Sequence, residues 1–115
     1  MGGRNQNYVT LEEIAKKLID EKLTPGQLSE LRMKLSASYA FIASRLDDIL
    51  LTKPQEWLQI RDKCTSDNQA DKKYELTDNG KLEKVYRQQL KTCEKMMSAI
   101  KTRIEIMSGE ARNQY

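Results

Sequence analysis

Apolar residues recur at helical spacing in two long stretches of the chain. In the first stretch the steps are three and four residues, which is typical of one buried face of an α-helix. A capping pattern precedes it, with Thr24 as the cap, Pro25 in the first turn and Gln27 closing the capping box. The pattern predicts a helix over about 25–64. Its apolar positions are Leu28, Leu31, Leu35, Tyr39, Ile42, Leu46 and Ile49.

Pro54 lies inside this predicted helix. Proline lacks the N–H that would bond to residue 50, and it disfavours helical backbone at Lys53. Trp57 and Ile60 nevertheless continue the same apolar phase beyond it. Because a new helix would have no reason to keep that phase, we interpret 25–64 as one long, kinked helix. A clean break at 52–54 is the alternative.

The second stretch predicts a helix over about 67–108. Ser66 and Gln69 have the spacing of a capping box at its start. The segment TDNG at 77–80 is the point at which a bend or a break would occur, and Gly109 has the position of a C-terminal cap residue. The apolar positions are Ala70, Tyr74, Leu82, Tyr86, Leu90, Cys93, Met97, Ile100, Ile104 and Met107.

The N-terminal part predicts one more, shorter helix. Thr10 and Glu13 form a third capping-box pattern ahead of a helix over about 11–22, which needs docking to be stable. Residues 1–9 are polar and glycine-rich, so we expect them to be disordered. Residues 109–115 are expected to be a frayed tail. The sequence therefore predicts a single helical domain over 10–108 between these two terminal segments.

The two long stripes predict an antiparallel, coiled-coil-like hairpin. With a turn near residue 66, facing residues have numbers that add up to about 132, and apolar positions then meet apolar positions. The fold class is therefore all-α, a long antiparallel helical hairpin with a short N-terminal helix. The predicted facing pairs are Trp57 with Tyr74, Leu46 with Tyr86, Ile42 with Leu90, Tyr39 with Cys93, and Leu35 with Met97.

Composition narrows the function classes. The 115 residues suit one domain, and the 38% hydrophobic content is below the roughly 45–50% of ordinary globular domains, so the core is thin. There is no histidine and none of the familiar catalytic or nucleotide-binding motifs, so we expect a protein that is not an enzyme and needs no cofactor or metal. No apolar run approaches the roughly 18 residues of a membrane span, and no membrane partner is expected.

The two cysteines test the hairpin. Cys64 would lie at the tip, and Cys93 about 40 Å along the arm at 1.5 Å per residue, so they cannot form a disulfide within one chain. Cys93 is expected to be a small core residue. Reduced thiols are typical of the cytoplasm, which is the expected location.

Basic residues of the second long helix form a candidate binding surface. Lys84, Arg87, Lys91 and Lys95 recur at steps of three and four opposite the apolar stripe and form a continuous cationic ridge. The ridge is about 16 Å long and could contact several phosphates of single-stranded nucleic acid. The alternative is an ordinary solvated helix face. Second-choice contacts are Arg61, Lys63, Lys101 and Arg103.

The C-terminal apolar positions suggest self-association. The facing helix begins near Leu28, so the last apolar positions of the second helix have little of it to pack against. Part of their apolar surface should stay uncovered: Ile100, Ile104 and Met107. We therefore expect a homo-oligomer that is assembled through these three residues.

The C-terminal third, LKTCEKMMSAIKTRIEIMSGEARNQ, resembles phage recombination mediators of the UvsY type. The resemblance consists of a long basic helix that ends in an A-I-K-x-R element, Ala99 to Arg103. It implies an oligomer in the host cytoplasm that binds single-stranded DNA and loads a recombinase. The internal basic motif of that family has no clear counterpart, and WLQIRDK at 57–63 is the nearest segment.

Two other binding functions compete with this interpretation. One is a protein-binding inhibitor or adaptor, such as a phage anti-defence factor, that acts through its helix faces without nucleic acid. The other is a structural coiled-coil component of a virion or an assembly chaperone.

Overall fold

The protein is a long helical hairpin with a short helix docked on its open end. The structure, a computed structural model, describes residues 11–113 and, within that range, contains helices and no strand. Helix α1 covers 11–18, α2 Pro25–Arg61, α3 Asp67–Glu75 and α4 Asp78–Asn113. The hairpin measures 69 × 29 × 20 Å. The predicted all-α fold is confirmed, whereas the expected disorder at 1–9 and the Thr10 cap lie outside the described residues.

Helix α2 begins with the predicted capping box. The Oγ1 atom of Thr24 accepts a hydrogen bond from the Gln27 backbone N–H at 3.1 Å, and Gln27 Oε1 accepts one from the Thr24 N–H at 2.9 Å. The helix continues through Pro54, so the alternative of a clean break at 52–54 is wrong. It ends at Arg61 rather than 64, because the N–H groups of Lys63 and Cys64 bond to carbonyls three residues earlier and tighten the chain into a turn.

The second arm of the hairpin consists of two helices rather than one. The chain leaves the helix at Leu76 and Thr77, directly at the predicted weak point, and restarts as α4. Thr77 joins the two helices: its hydroxyl donates to the Tyr74 carbonyl oxygen at 2.6 Å and accepts from the Gly80 N–H at 3.0 Å. This hydroxyl satisfies groups on both sides of the break.

The cap at the start of α3 differs from the prediction in one bond. Ser66 Oγ accepts from the Gln69 N–H at 3.2 Å, as expected. The Gln69 side chain, however, accepts from both the N–H and the hydroxyl of Thr65, at 2.9 and 3.1 Å. In a capping box the Gln69 side chain would accept from the N–H of the cap residue, Ser66. Here it accepts from Thr65, one residue earlier, which offers two donors to the same oxygen.

Helix α4 extends beyond its predicted end. It continues through Gly109 to Asn113, beyond the predicted end at about 108. The predicted fraying of 109–115 stays a prediction. A C-terminal cap glycine needs a left-handed backbone, and no described glycine has a positive φ. Gly109 is therefore an ordinary helical residue. Residues 114 and 115 lie outside the described range.

Two contacts between the arms establish their antiparallel register. Tyr39 donates its hydroxyl to Glu94 Oε1 at 3.1 Å, and the Ser36 hydroxyl lies 3.5 Å from Met97 Sδ. Both pairs of numbers add up to 133, one more than predicted. Near the tip, Trp57 Nε1 donates to Asp71 at 2.8 Å, one helical turn before Tyr74, the predicted partner of Trp57. The buried hydrophobic residues of α2 and α4 are Leu28, Leu31, Leu35, Ile42, Leu46, Ile49, Tyr86, Cys93 and Ile100.

Helix α1 covers the open end of the hairpin. Leu11 and Ile14 are buried in the same hydrophobic cluster as the two arms. The guanidinium of Arg103 donates to the carbonyl oxygens of Leu18 and Asp20, each at 2.9 Å. A cation at this position satisfies free carbonyls at and just beyond the C-terminal end of α1 and matches its dipole. The helix ends at 18, four residues before the predicted end near 22.

Both cysteines occupy the places that the hairpin requires. Cys93 is fully buried in the core, Cys64 is half-buried near the tip, and both thiols are free. Burial raises the pKa of Cys93, and the nearby Glu94 carboxylate raises it further. The absence of a disulfide between these two described residues agrees with the prediction.

Candidate nucleic-acid interface

The four basic residues of the predicted cationic ridge lie on the solvent side of α4, and we call them the α4 ridge. Tyr86, Cys93 and Ile100 face the core, and the side chains of Lys84, Arg87, Lys91 and Lys95 are all exposed. At about 100° per residue these four positions lie roughly opposite the buried stripe, within about 80° of one another. Because α4 is continuous over this stretch, the structure brings the four predicted residues together on one surface.

The two carboxylates near the ridge, those of Glu83 and Glu94, both have partners. Glu83 forms an ion pair across the hairpin with Lys53 at 3.0 Å and a second one with Arg87 at 3.1 Å. Burial alone would raise the Glu83 pKa, but hydrogen bonds and charge from Lys53 and Arg87 outweigh it and the pKa is lowered. Glu94 accepts the Tyr39 hydroxyl. Within the described residues no carboxylate forms an ion pair with Lys84, Lys91 or Lys95.

Arg87 differs from the three lysines because it is paired. Its partner Glu83 is four residues earlier on the same helix, and the Arg87 side chain is half exposed. Such exposed pairs stabilise a helix by only about 0.3–0.5 kcal/mol, so a phosphate could compete for the guanidinium at small cost. Arg87 therefore remains a member of the ridge. The three lysines differ from it because none of them forms an ion pair with a described carboxylate.

Lys81 extends the ridge by one turn and was not among the predicted site residues. It is exposed, lies three residues before Lys84, and has no ion-pair partner among the described residues. The sequence holds the signal for it, because Lys81 is near the same helical face. With Lys81 the ridge spans about 21 Å at 1.5 Å per residue.

Two of the second-choice residues have structural partners instead. Arg61 bonds to Asp67 Oδ1 at 2.6 Å and to the Cys64 carbonyl oxygen at 2.9 Å, which closes the turn between α2 and α3. Arg103 holds the end of α1 through the two carbonyls described above. Both guanidinium groups therefore have hydrogen-bond partners inside the fold. That they also contact nucleic acid stays a prediction.

The other two second-choice residues are exposed but lie away from the ridge. Lys63 is in the turn at the hairpin tip. Lys101 is on α4, but it lies six residues beyond Lys95 and, at about 100° per residue, points roughly 120° away from Lys95. Neither shares a continuous surface with the α4 ridge.

The predicted oligomerisation residues belong largely to the core of the chain itself. Ile100 is fully buried, and Ile104 and Met107 are half-buried against the same hydrophobic cluster. Helix α1, with Leu11 and Ile14, supplies part of that cluster. Ile100 therefore offers no surface to a second chain in this fold, and assembly through Ile104 and Met107 stays a prediction.

The remaining chemistry of the described residues is limited. In the range 11–113, no group of three or more histidine, cysteine, aspartate or glutamate side chains could hold a metal ion. In the same range, no helix is both long and apolar enough to cross a membrane.

No protein-family model, curated protein or solved structure matches this chain.

Proposed function

We propose that the protein binds single-stranded nucleic acid through phosphate contacts to the α4 ridge, without preference for sequence. The observation that supports this most is the set of exposed, unpaired lysines Lys84, Lys91 and Lys95 on one helix face. Lysines that neutralise phosphates release counterions from the nucleic acid, which supplies sequence-independent affinity. Lys81 and Arg87 complete the surface.

The shape of the ridge favours a single strand over a duplex. A flexible strand can follow a straight helix face and place successive phosphates along it, whereas the backbone of a duplex winds away from a straight line. Base reading has no support, because the five ridge positions include no aromatic residue on which a base could stack. Loading of a recombinase, which the UvsY-type resemblance implies, would be a role built on this binding.

A charge-reversal titration tests the proposal. Fluorescence anisotropy of a labelled oligothymidine would be measured at low salt with the native chain and with the double variant Lys84→Glu/Lys91→Glu. Both side chains are exposed and outside every described ion pair, so the fold should persist. We expect the double variant to lose at least about tenfold in affinity, since each reversal replaces an attraction to phosphate by a repulsion.

The matched control is Lys17→Glu/Lys22→Glu, which changes the net charge equally. Lys17 and Lys22 are exposed at the opposite end of the hairpin. We expect this variant to retain most of the affinity. Equal losses in the two double variants would indicate a general charge effect, and absence of binding by the native chain would refute the proposal outright.

A further inference from the structure

A row of three charged side chains runs from α2 across the hairpin to the α4 ridge. The Nζ atom of Lys53 lies 3.0 Å from Glu83 Oε1. The other carboxylate oxygen of Glu83, Oε2, accepts a hydrogen bond from Arg87 Nε at 3.1 Å. One carboxylate thus joins a cation of α2 to a cation of the ridge. We call Lys53, Glu83 and Arg87 the ion triad.

The Glu83 carboxylate is a permanent negative charge beside the ridge. Its side chain is only 15% exposed, and burial would raise its pKa. The hydrogen bonds and charges of Lys53 and Arg87 outweigh burial and hold the pKa below its ordinary value. Glu83 is therefore ionised at neutral pH, and a carboxylate that is enclosed to this degree needs a compensating cation.

Lys53 is fixed in its place between the helices by contacts of its own. Its ammonium group lies 5.0 Å from the centroid of the Tyr74 ring, a distance at which the ring face attracts a cation. The neighbouring Glu56 carboxylate accepts a hydrogen bond from Asn79 Nδ2 at 2.9 Å. Among the described ion pairs Lys53 occurs only with Glu83. Lys53 therefore acts on the ridge through this one carboxylate.

Lys53 determines the net charge that the ion triad presents to a phosphate. The charges of Glu83 and Arg87 alone would cancel, so the middle of the ridge would have no net charge. With Lys53 the triad carries one net positive charge. Both contacts of the triad are much shorter than the Debye length of about 8 Å at physiological salt, so a phosphate is attracted by the sum of the three charges.

The triad also leaves the outer part of the Arg87 guanidinium available. Glu83 is bonded to Nε, and within the described residues no hydrogen bond uses either Nη atom of Arg87. The guanidinium is a planar group with five N–H donors, so the N–H groups of both Nη atoms remain for a phosphate. A phosphate can consequently bind Arg87 while Glu83 keeps its hold on Nε.

We propose that Lys53 and Glu83 are positioning residues for phosphate binding by Arg87. Glu83 orients the guanidinium, and Lys53 neutralises the Glu83 carboxylate so that Arg87 still attracts phosphate. The inference rests on the proposed binding of single-stranded nucleic acid by the α4 ridge, and it names the residues that tune the contact at Arg87. Lys53 thereby affects binding from another helix, without touching the nucleic acid.

A double-mutant cycle between Lys53 and Glu83 tests this inference. Anisotropy of labelled oligothymidine at low salt would be measured for Lys53→Met, which keeps an unbranched side chain beside Tyr74 but removes the charge. We expect affinity to fall about two- to fivefold, as for loss of an exposed ion pair. In a Glu83→Gln background, which has no carboxylate to neutralise, Lys53→Met should cause no loss. Lys17→Met, on exposed α1, changes the net charge equally and should not alter affinity.

Glu83→Gln alone provides a second measurement that does not depend on the folding of Lys53→Met. Its amide oxygen can still accept from Arg87 Nε, but the negative charge is gone. We expect affinity to rise about two- to fivefold, and most of this gain should be lost when Arg87→Gln is also present. A gain of the same size with and without Arg87 would contradict the inference.

The outcomes separate this inference from the proposed function. Equal losses from Lys53→Met in both backgrounds, as a general charge effect would give, would overturn the inference, and so would no loss in either. Binding that Lys91→Gln weakens but Lys53→Met does not would overturn the inference and leave the proposed function standing. Absence of binding by the native chain would overturn both.

Discussion

The guanidinium of Arg103 donates a hydrogen bond to the carbonyl oxygen of Leu18 at 2.9 Å, across 85 residues of sequence. A second bond to the Asp20 carbonyl oxygen completes the contact. This side chain therefore fastens α1 to the far end of α4. The α1 helix is short, and it depends on such docking contacts because a helix of this length is not stable alone.

Arg103→Gln should loosen α1 without weakening nucleic-acid binding. Hydrogen bonds from a charged donor contribute about 1.5–3 kcal/mol when buried, and partial exposure here reduces the expected loss to about 1–2 kcal/mol. Urea unfolding measures the change, and amide exchange in 11–18 should accelerate. Lys101→Gln is the control and should change neither quantity. Loss of oligonucleotide affinity in Arg103→Gln with unchanged stability would contradict the structural role.

The start of α2 and the register of the hairpin are predictable from the sequence for physical reasons. The capping box at the start of α2 involves only residues 24–27, so it can be recognised from the local sequence alone. The register follows from two apolar stripes that can meet in only one phase. The segment TDNG predicts a break near Leu76. The position of the break depends on the Thr77 hydroxyl, which bonds to Tyr74 before the break and to Gly80 after it.

The roles of Arg61, Arg103 and Ile100 could not be predicted in the same way. The two arginines bond to backbone carbonyls, and every residue has one, so the sequence does not indicate which carbonyl accepts. The partners of Arg103 are also far from it in sequence, at the end of α1. Ile100 is buried at the end of the hairpin that α1 also covers. The exposed ridge was predictable, because its lysines are placed by the same helical period as the core.

Gly80→Ala should destabilise the fold at the junction of α3 and α4. An added Cβ would overlap the Tyr74 carbonyl oxygen and lie 2.9 Å from Glu75 Cα, and both are backbone atoms that cannot rotate away. Such overpacking costs about 1–3 kcal/mol, to be measured by urea unfolding. In contrast, Gly109→Ala meets nothing within 4 Å and should stabilise α4 by about 0.5–1 kcal/mol. Equal effects of the two changes would contradict the close packing at Gly80.

The Glu83 carboxylate should make stability depend on pH. Its folded pKa is below the ordinary value of 4.5 because Lys53 and Arg87 hold the charged form. A depressed pKa contributes stability above the unfolded pKa, and this contribution is lost as the pH falls through the folded pKa. Urea unfolding across that acidic range should show a smaller decline for Glu83→Gln than for the native chain. Asp78→Gln, outside the described ion pairs, is the control; an unchanged decline in Glu83→Gln would contradict the role of this carboxylate.

The two thiols should differ in reactivity. Cys93 is fully buried and its pKa is raised, so its nucleophilic thiolate is scarce and inaccessible, whereas Cys64 is half-buried near the tip. Iodoacetamide followed by mass spectrometry should label Cys64 first in the folded chain and both residues in urea. Cys64→Ser should abolish the fast reaction. Fast labelling of Cys93 in the folded chain would contradict its place in the core.

The salt dependence of oligonucleotide binding tests phosphate contact by the α4 ridge most directly. Contacts to three or four phosphates predict a slope of about −2 to −3 for log affinity against log salt, at roughly −0.7 per phosphate of a single strand. Lys91→Gln should reduce the magnitude of that slope by about 0.7, and Lys17→Gln should leave it unchanged. A slope near zero, or a slope that Lys91→Gln does not alter, would contradict phosphate binding by the ridge.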